Sequence, residues 1–234
     1  MTKRFLACCL ALICLVPFPS RTQPATNDSS GRFFDLTGGM GIAAQSAPAL
    51  ANYINALAQP ALGQRVDQFN SVAEFYIVPE LQVSKEWSVG VEYSLLTKSF
   101  SLSDASGFSR TDISYEVQMP SLLVHYLVFG EGFRLKLGGG VGYHFIKFDQ
   151  NFLSTGSGET LRSQGPGFKL DAIGNTKFDE TFYGSIGFDL RWDFLGTLSR
   201  SGTSAQVQRS GPAPPAMSFF NAGVKFGITF QLFQ

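Results

Sequence analysis

The stretch from Phe219 to Phe233 alternates between apolar and polar side chains. Such alternation is typical of a β-strand with one apolar and one polar face, because successive side chains point to opposite sides. The apolar face consists of Phe220, Ala222, Val224, Phe226, Ile228, Phe230 and Leu232. A strand of this kind suits a water-soluble sandwich, or a membrane barrel whose apolar face meets lipid and whose polar face meets the interior. The rest of the chain decides between the two.

The first 22 residues have the order of a secretory signal peptide. Lys3 and Arg4 precede an apolar run from Phe5 to Val16, which is followed by prolines and small polar residues. The run is too short for a spanning helix, which needs about 20 apolar residues. We therefore predict an exported protein, with a signal peptide over residues 1–22 that is cleaved between residues 20 and 25.

Cysteine content and charge exclude several kinds of chemistry. Cys8, Cys9 and Cys14 are the only cysteines, and all lie in the predicted signal peptide, so the mature chain has no thiol for disulfides or thiol catalysis. Lys plus Arg and Asp plus Glu each number 18, which leaves no basic field to recruit nucleic acid. With only two histidines, we expect no metal site, and we expect no cofactor.

Seven further strands follow from the same alternation. They are predicted over 33–43, 72–84, 87–95, 113–129, 134–148, 177–193 and, with poor patterning, within 194–208. The connections between strands alternate in length. Those over 45–70, 99–112, 149–176 and 200–217 are long, and those near Lys85, Gly130 and Phe194 are short. This sorting is typical of a bacterial barrel with short periplasmic turns and long external loops.

We therefore predict an all-β fold, a single eight-stranded antiparallel transmembrane β-barrel over residues 31–234 in a bacterial outer membrane. The first long connection contains an amphipathic segment from Ala47 to Ala61, with Leu50, Ile54 and Leu57 on one helical stripe. We predict a short helix that caps the external mouth of the barrel. A ligand lid or partner-binding helix and a disordered loop are the alternatives.

Pro120 coincides with a change of phase in the fourth predicted strand. Tyr115, Val117 and Met119 alternate in one phase, whereas Leu122 and the apolar residues after it alternate in the other. If all of these side chains faced lipid, one extra residue would have to be inserted between the two groups. We therefore predict a β-bulge at Pro120–Ser121.

Charged residues recur at the predicted inward positions. They are Glu74, Glu80, Glu92, Glu116, Lys136, Asp189, Arg191 and Lys225. The interior of an eight-stranded barrel is just wide enough for side chains to fill, and an unpaired charge there costs several kcal/mol. We therefore predict a cross-lumen network that plugs the barrel. A polar permeation path is the functional alternative.

Two motifs could indicate catalysis or nucleotide binding. His144 shares the inward face with Lys136, and Ser185, Glu92 or Glu116 could join it in a Ser–His–carboxylate set. Nothing in the local sequence brings those groups together, so we expect no catalytic residue and no enzyme. The glycine run at 138–142 does not fit a dinucleotide fingerprint, because a tyrosine replaces the last glycine and strand pattern follows.

The whole mature chain resembles the small bacterial outer-membrane β-barrels of the OmpA-like and OmpW-like class. The resemblance rests on the signal peptide, on strand–glycine–aromatic segments such as Leu135–Tyr143, and on the C-terminal strand. It implies that the C-terminal strand is read by the barrel-assembly machinery, although Gln234 stands where relatives end in an aromatic residue. The residues of this implied assembly signal are Phe226, Ile228, Phe230, Leu232 and Phe233.

The resemblance also implies outer-membrane lipid as the surroundings and a monomer as the assembly, with no particular surface partner. Members of such folds differ widely in activity, so the class alone does not assign a role. We expect a structural or surface-interaction barrel with a closed, charge-plugged lumen that acts through its long external loops. The alternatives are a narrow channel for small or hydrophobic solutes and a lipid-modifying enzyme.

Overall fold

The structure, a computed structural model, describes residues 33–57, 69–103, 110–152, 156–200 and 215–233. Within these residues there is one helix and a single sheet. The strands are β1 (Phe34–Ser46), β2 (Phe69–Gln82), β3 (Trp87–Ser103), β4 (Arg110–Gly130), β5 (Phe133–Phe152), β6 (Ser157–Lys177), β7 (Phe182–Thr197), β8 (Ser199–Arg200) and β9 (Ala216–Phe233), and the helix is α1 (Pro48–Leu57). The predicted signal peptide, Ala61 and Gln234 lie outside the described residues.

The eight long strands form a closed antiparallel barrel. Their order in the sheet is β5-β4-β3-β2-β1-β9-β7-β6, and pairing between β5 and β6 closes the ring. The first and last strands are neighbours, since β1 pairs with β9 along its whole length. The predicted eight-stranded antiparallel barrel with a short helix after its first strand is therefore confirmed.

One band of the outer wall is apolar and exposed. Met40, Ile42, Leu122, Val141 and Ile186 are each more than half exposed, and many other large apolar side chains on the outer face resemble them. A water-soluble monomer rarely exposes such a continuous apolar surface. On β5 the outward apolar side chains run from Phe133 to Phe145, enough for the roughly 9–11 residues that a tilted strand needs to cross the hydrocarbon core. This face therefore meets lipid.

Above this band the polarity of the two faces of the wall is reversed, so that apolar side chains face inward and polar side chains face outward. On β4, Ile113, Tyr115, Val117 and Met119 are buried inside the barrel, while the alternate residues Ser114 to Gln118 are polar and point outward. Similar inward apolar residues from other strands join them in one cluster at the external end, which we call the mouth cluster. Its other main members are Leu96, Ile146, Phe148, Leu161, Leu195, Met217 and Phe219. The external part of the barrel thus has the apolar interior and polar exterior of a water-soluble protein.

The predicted bulge at Pro120–Ser121 is wrong. The ladder between β3 and β4 continues without a shift through Tyr93 opposite Pro120 and Glu92 opposite Ser121. The apolar phase changes because the solvent outside the wall changes from lipid to water at this level, so the apolar side chains belong outside below it and inside above it.

Helix α1 packs into the mouth cluster, in agreement with the predicted cap. Leu50, Tyr53 and Ile54 are buried on its inner side, whereas Asn52 is exposed. Pro48 occupies the first turn, where a missing N–H costs no helical hydrogen bond. Among the described residues, no helix has both the length and the apolarity needed to cross a membrane.

The second half of the chain forms strands whose bounds differ from the predicted ones. The segment predicted as a long loop, 149–176, contains the end of β5 and nearly all of β6. The predicted sixth strand corresponds to β7, and the chain does not turn near Phe194. The poorly patterned seventh strand over 194–208 is therefore wrong within the described residues, because they contain only the end of β7 and the two-residue β8. The predicted total of eight long strands agrees with the structure because β6, which was not predicted, takes the place of the incorrect seventh strand.

Placing a carboxylate in the mouth cluster tests the cap. Ile54→Asp is expected to lower the free energy of unfolding by several kcal/mol, because a buried ion without a partner is costly. It should also release α1, so that limited proteolysis cuts within 48–57 faster. Asn52→Asp introduces the same group on the exposed side of the helix and should change neither result. Equal effects of the two variants would contradict the packing of α1 into the mouth cluster.

Candidate functional site: the charged lumen

Below the mouth cluster, the barrel interior is filled by a continuous network of ion pairs. Every long strand contributes to it, because inward positions recur at every second residue around the closed wall. We call this set the lumen network. Its members are Asp35 on β1, Glu74 and Glu80 on β2, Glu92 on β3, His125 on β4, Arg134 and Lys136 on β5, Lys169 and Asp171 on β6, Asp189 and Arg191 on β7, and Lys225 on β9.

The periplasmic end of the network is centred on Asp35. Arg134 donates to its carboxylate, and Lys136 Nζ lies 3.1 Å from the same oxygen. Lys136 Nζ also lies 2.5 Å from Glu80 Oε2, which links β1 and β2 to β5 across the lumen. The guanidinium of Arg134 lies 4.2 Å from the ring centre of Phe33, so the lowest cation also has an aromatic neighbour.

His125 joins this end to the middle of the network. Its Nδ1 lies 2.9 Å from Glu80 Oε1 and its Nε2 lies 3.0 Å from Asp171 Oδ1. Each ring nitrogen thus lies within hydrogen-bond distance of a carboxylate oxygen, and the imidazole bridges Glu80 and Asp171. Lys169 then continues the chain, with Nζ 3.0 Å from Asp171 and 2.5 Å from Glu92.

The upper part of the network packs two cations against three carboxylates. Arg191 lies 3.1 Å from Glu74, 3.2 Å from Glu92 and 3.1 Å from Asp189. Lys225 contacts the same three groups, at 2.7 Å from Glu74, 3.4 Å from Glu92 and 3.8 Å from Asp189. All five side chains are almost wholly buried. Removing either cation therefore leaves carboxylates that water cannot solvate.

Seven of the eight charged residues predicted for the lumen are brought together in this network. Glu116 does not join the network. It lies in the external section of β4, where the polar side chains point outward, and its carboxylate accepts a hydrogen bond from Gln118 at 2.7 Å. The predicted network lacks Lys169 and Asp171 because both lie on β6, in the segment predicted as a loop. The short alternation from Phe168 to Ala172 carries the signal that would have found them.

A separate polar group lies between the lumen network and the mouth cluster. Ser121 Oγ is 3.2 Å from His144 Nε2, and His144 Nδ1 is 2.5 Å from Asp193 Oδ1. Asn221 donates to the other oxygen of Asp193 at 3.0 Å. This order of serine, imidazole and carboxylate is that of a hydrolase triad. It uses none of the serine or acidic partners that the sequence analysis named for His144.

Close backbone approach holds His144 in place. A Cβ atom at Gly142 would lie 2.6 Å from His144 Nε2, and one at Gly167 would overlap the same ring, so the imidazole lies against two glycine backbones. Ser121, His144 and Asp193 are all buried, with apolar side chains of the mouth cluster above them. The group has the contacts that activate a serine, but it is enclosed by the barrel wall.

A small cavity lies within the lumen network. Its volume is about 20 Å³, and it is lined by Glu92, Lys169 and Lys225 of the network and by Tyr76. That is room for about one water molecule. Within the described residues, no group of three or more His, Cys, Asp or Glu side chains has an arrangement that could hold a metal ion.

The residues of the implied assembly signal lie on the strand that closes the barrel. Phe226, Ile228, Phe230 and Leu232 are exposed on the outer face of β9, and Phe233 pairs with Phe34 of β1. The apolar side chains of Phe226, Ile228, Phe230 and Leu232 thus face lipid, as the alternation of the C-terminal strand predicts. Their recognition by assembly machinery stays a prediction.

Solved structures with this architecture are outer-membrane barrels. Neisserial surface protein A aligns with a TM-score of 0.52 and 9% identity, over 85% of this chain and 97% of that chain. The outer membrane protein OprG from Pseudomonas aeruginosa aligns with a TM-score of 0.51 and 12% identity, over 87% and 96%. Ail, the attachment invasion locus protein of Yersinia pestis, gives 0.49 and 11%, over 87% and 99%. No protein-family model and no curated protein matches the chain.

The closed eight-stranded barrel, the exposed apolar band and the fold-level similarity to Neisserial surface protein A and OprG define the class of the protein. It is a small bacterial outer-membrane β-barrel. Identities near 10% support the fold and leave the particular role to be argued from the residues themselves.

Removing a shared cation tests the lumen network. Arg191→Met is expected to lower the free energy of unfolding by about 3–5 kcal/mol, because it leaves buried carboxylates short of a partner. The double variant Arg191→Met with Asp189→Asn should recover part of the loss, since it also removes one unpaired charge. Arg110→Met removes an exposed arginine paired with Asp112 and should have little effect. Urea titration in detergent micelles measures all three. Equal loss in Arg191→Met and Arg110→Met would contradict the network.

Proposed function

We propose that the barrel is closed by its own interior and acts as a structural or surface-interaction protein through the parts that stand outside the membrane. The observation that carries this proposal is the lumen network, in which all eight long strands contribute charged groups that contact one another across the barrel. Free space of about 20 Å³ among these groups supports a plug better than a permeation path.

A second barrier supports the same proposal. The mouth cluster and α1 fill the external end of the barrel with apolar side chains, several of which are fully buried. A hydrated ion would have to enter this apolar layer before it reached the charged layer below. The described surface left for contacts is the polar outer wall of the external section.

Electrical recording tests the closed lumen. The purified full-length mature protein in planar bilayers is expected to show no stable conductance above background, with a known porin as the positive control. Arg191→Ser, which opens the charged layer alone, is also expected to stay at background because the mouth cluster still closes the barrel. A large, stable conductance from the wild-type protein would overturn the proposal in favour of a narrow channel.

The second candidate function is a lipid-modifying enzyme, and the contacts of Ser121 with His144 and of His144 with Asp193 favour it. Their enclosure argues against it, because a substrate ester must reach Ser121 Oγ. An activated serine that is open to substrate reacts covalently with a fluorophosphonate probe. We expect no labelling of the folded protein in detergent or in lipid. Labelling that disappears in Ser121→Ala and in His144→Ala would establish an accessible nucleophile and reject a purely structural barrel.

A further inference from the structure

We propose that a cleft on the outer wall of the barrel binds the sugar headgroup of an outer-leaflet glycolipid. The cleft, which we call the outer cleft, has a volume of about 690 Å³ and crosses the outer faces of β4 to β8. Small-molecule sites commonly have volumes of about 300–1,000 Å³. The side chains that carry the argument are Glu116, Gln118, Phe145, Lys147, Arg162 and Gln164.

An interruption in the wall creates the outer cleft. The ladder between β6 and β7 ends where Gly167 pairs with Asp193, and β6 next pairs at Arg162, with Ser199 of β8. Between these points β7 carries an irregularity at Leu195–Thr197 in its ladder with β9. Bulges of this kind are frequent at the rims of barrels and beside binding sites.

Side-chain contacts join the strands within and beside this interruption. Ser163 Oγ donates to the carbonyl oxygen of Gly196 at 2.6 Å, and Ser199 Oγ donates to that of Arg162 at 3.3 Å. Pro166 in the same part of β6 has no N–H to offer. These contacts hold β6 against the end of β7 and β8, while the outer surface at the interruption remains concave.

The outer cleft lies directly above an aromatic wall. Tyr143 and Phe145 contact each other with ring centres 5.5 Å apart, and Phe168 stacks on Trp192 and Phe194 at 5.2 and 5.8 Å. These rings form the external edge of the lipid-facing band, where aromatic side chains of membrane barrels meet the headgroup region. A ligand with a polar group in the cleft can therefore extend an apolar part along the lipid-facing surface below. Such a ligand is an amphiphile.

The charges of the outer cleft favour a hydroxyl-rich headgroup. Glu116 accepts from Gln118 at 2.7 Å, and Lys147 pairs with Asp149 at 2.8 Å while about half of its side chain stays exposed. Glu116, Lys147 and Arg162 lie in one cross-strand row, so one acceptor lies beside two cationic donors. Such a mixed row can both donate to and accept from neighbouring sugar hydroxyls, and the two cations can contact a phosphate attached to the sugar.

The two tryptophans allow a direct test. Trp192 belongs to the aromatic wall, whereas Trp87 lies at the opposite, periplasmic end of the lipid-facing band. The full-length mature protein carrying Trp87→Phe is titrated in zwitterionic detergent with rough-type lipopolysaccharide, and Trp192 fluorescence is recorded. We expect a saturable change. Arg162→Ala combined with Gln164→Ala should raise the apparent Kd at least tenfold, while Arg110→Ala, an exposed arginine outside the cleft, should leave it unchanged.

Three further titrations distinguish the sources of the signal. Phosphatidylglycerol supplies acyl chains without sugars, deacylated core oligosaccharide supplies sugars without acyl chains, and inorganic phosphate supplies the anion alone. All three are expected to bind at least tenfold more weakly than the glycolipid. Equal affinity for any of them, or equal affinity of the Arg162→Ala, Gln164→Ala variant and wild type, would overturn the proposal. It depends on the membrane position of the barrel and not on a closed lumen, so its failure is distinct from a positive conductance result.

Discussion

At each height of the barrel, the polarity of the inward side chains depends on whether lipid or water surrounds the wall. In the membrane, the outer face of each strand must be apolar, which leaves the inner face to polar and charged residues that must pair with one another. Above the membrane the outer face meets water, and the inner face can hold a conventional apolar core. The change occurs within single strands, without a change of register, at about the level of Pro120 on β4.

This constraint explains the composition of the lumen network. A narrow barrel cannot solvate its interior charges, so each needs a partner from another strand. Glu92 illustrates the result, because Lys169, Arg191 and Lys225 reach it from three different strands. The pairs cross the lumen and so fix the relative positions of strands that share no backbone hydrogen bonds. Ser121, His144, Asp193 and Asn221 form a chain of hydrogen bonds from four different strands between the two layers.

Period-two alternation predicted the barrel and most of its inward charges, because side-chain direction in a strand is fixed by the backbone. The predicted total of eight strands agrees with the structure only because β6 offsets the incorrect seventh strand. The alternation could not tell which solvent met the apolar face, since lipid outside and a core inside produce the same pattern. That ambiguity caused the false bulge at Pro120 and the inward assignment of Glu116. Strand β6 was missed because its external half carries glycine, proline and polar residues. The contact between Ser121 and His144 joins two strands and leaves no local signal.

The mouth cluster gives the two halves of the barrel opposite responses to temperature. Apolar burial from water weakens on cooling, so the external half is the part of the molecule that cold loosens. The desolvation penalty of buried ion pairs falls as temperature rises, so the lumen network is favoured by heat. The membrane-embedded half is thus the heat-tolerant base of the barrel. Its mouth, with α1 packed inside, is the section whose order an organism living at low temperature would lose first.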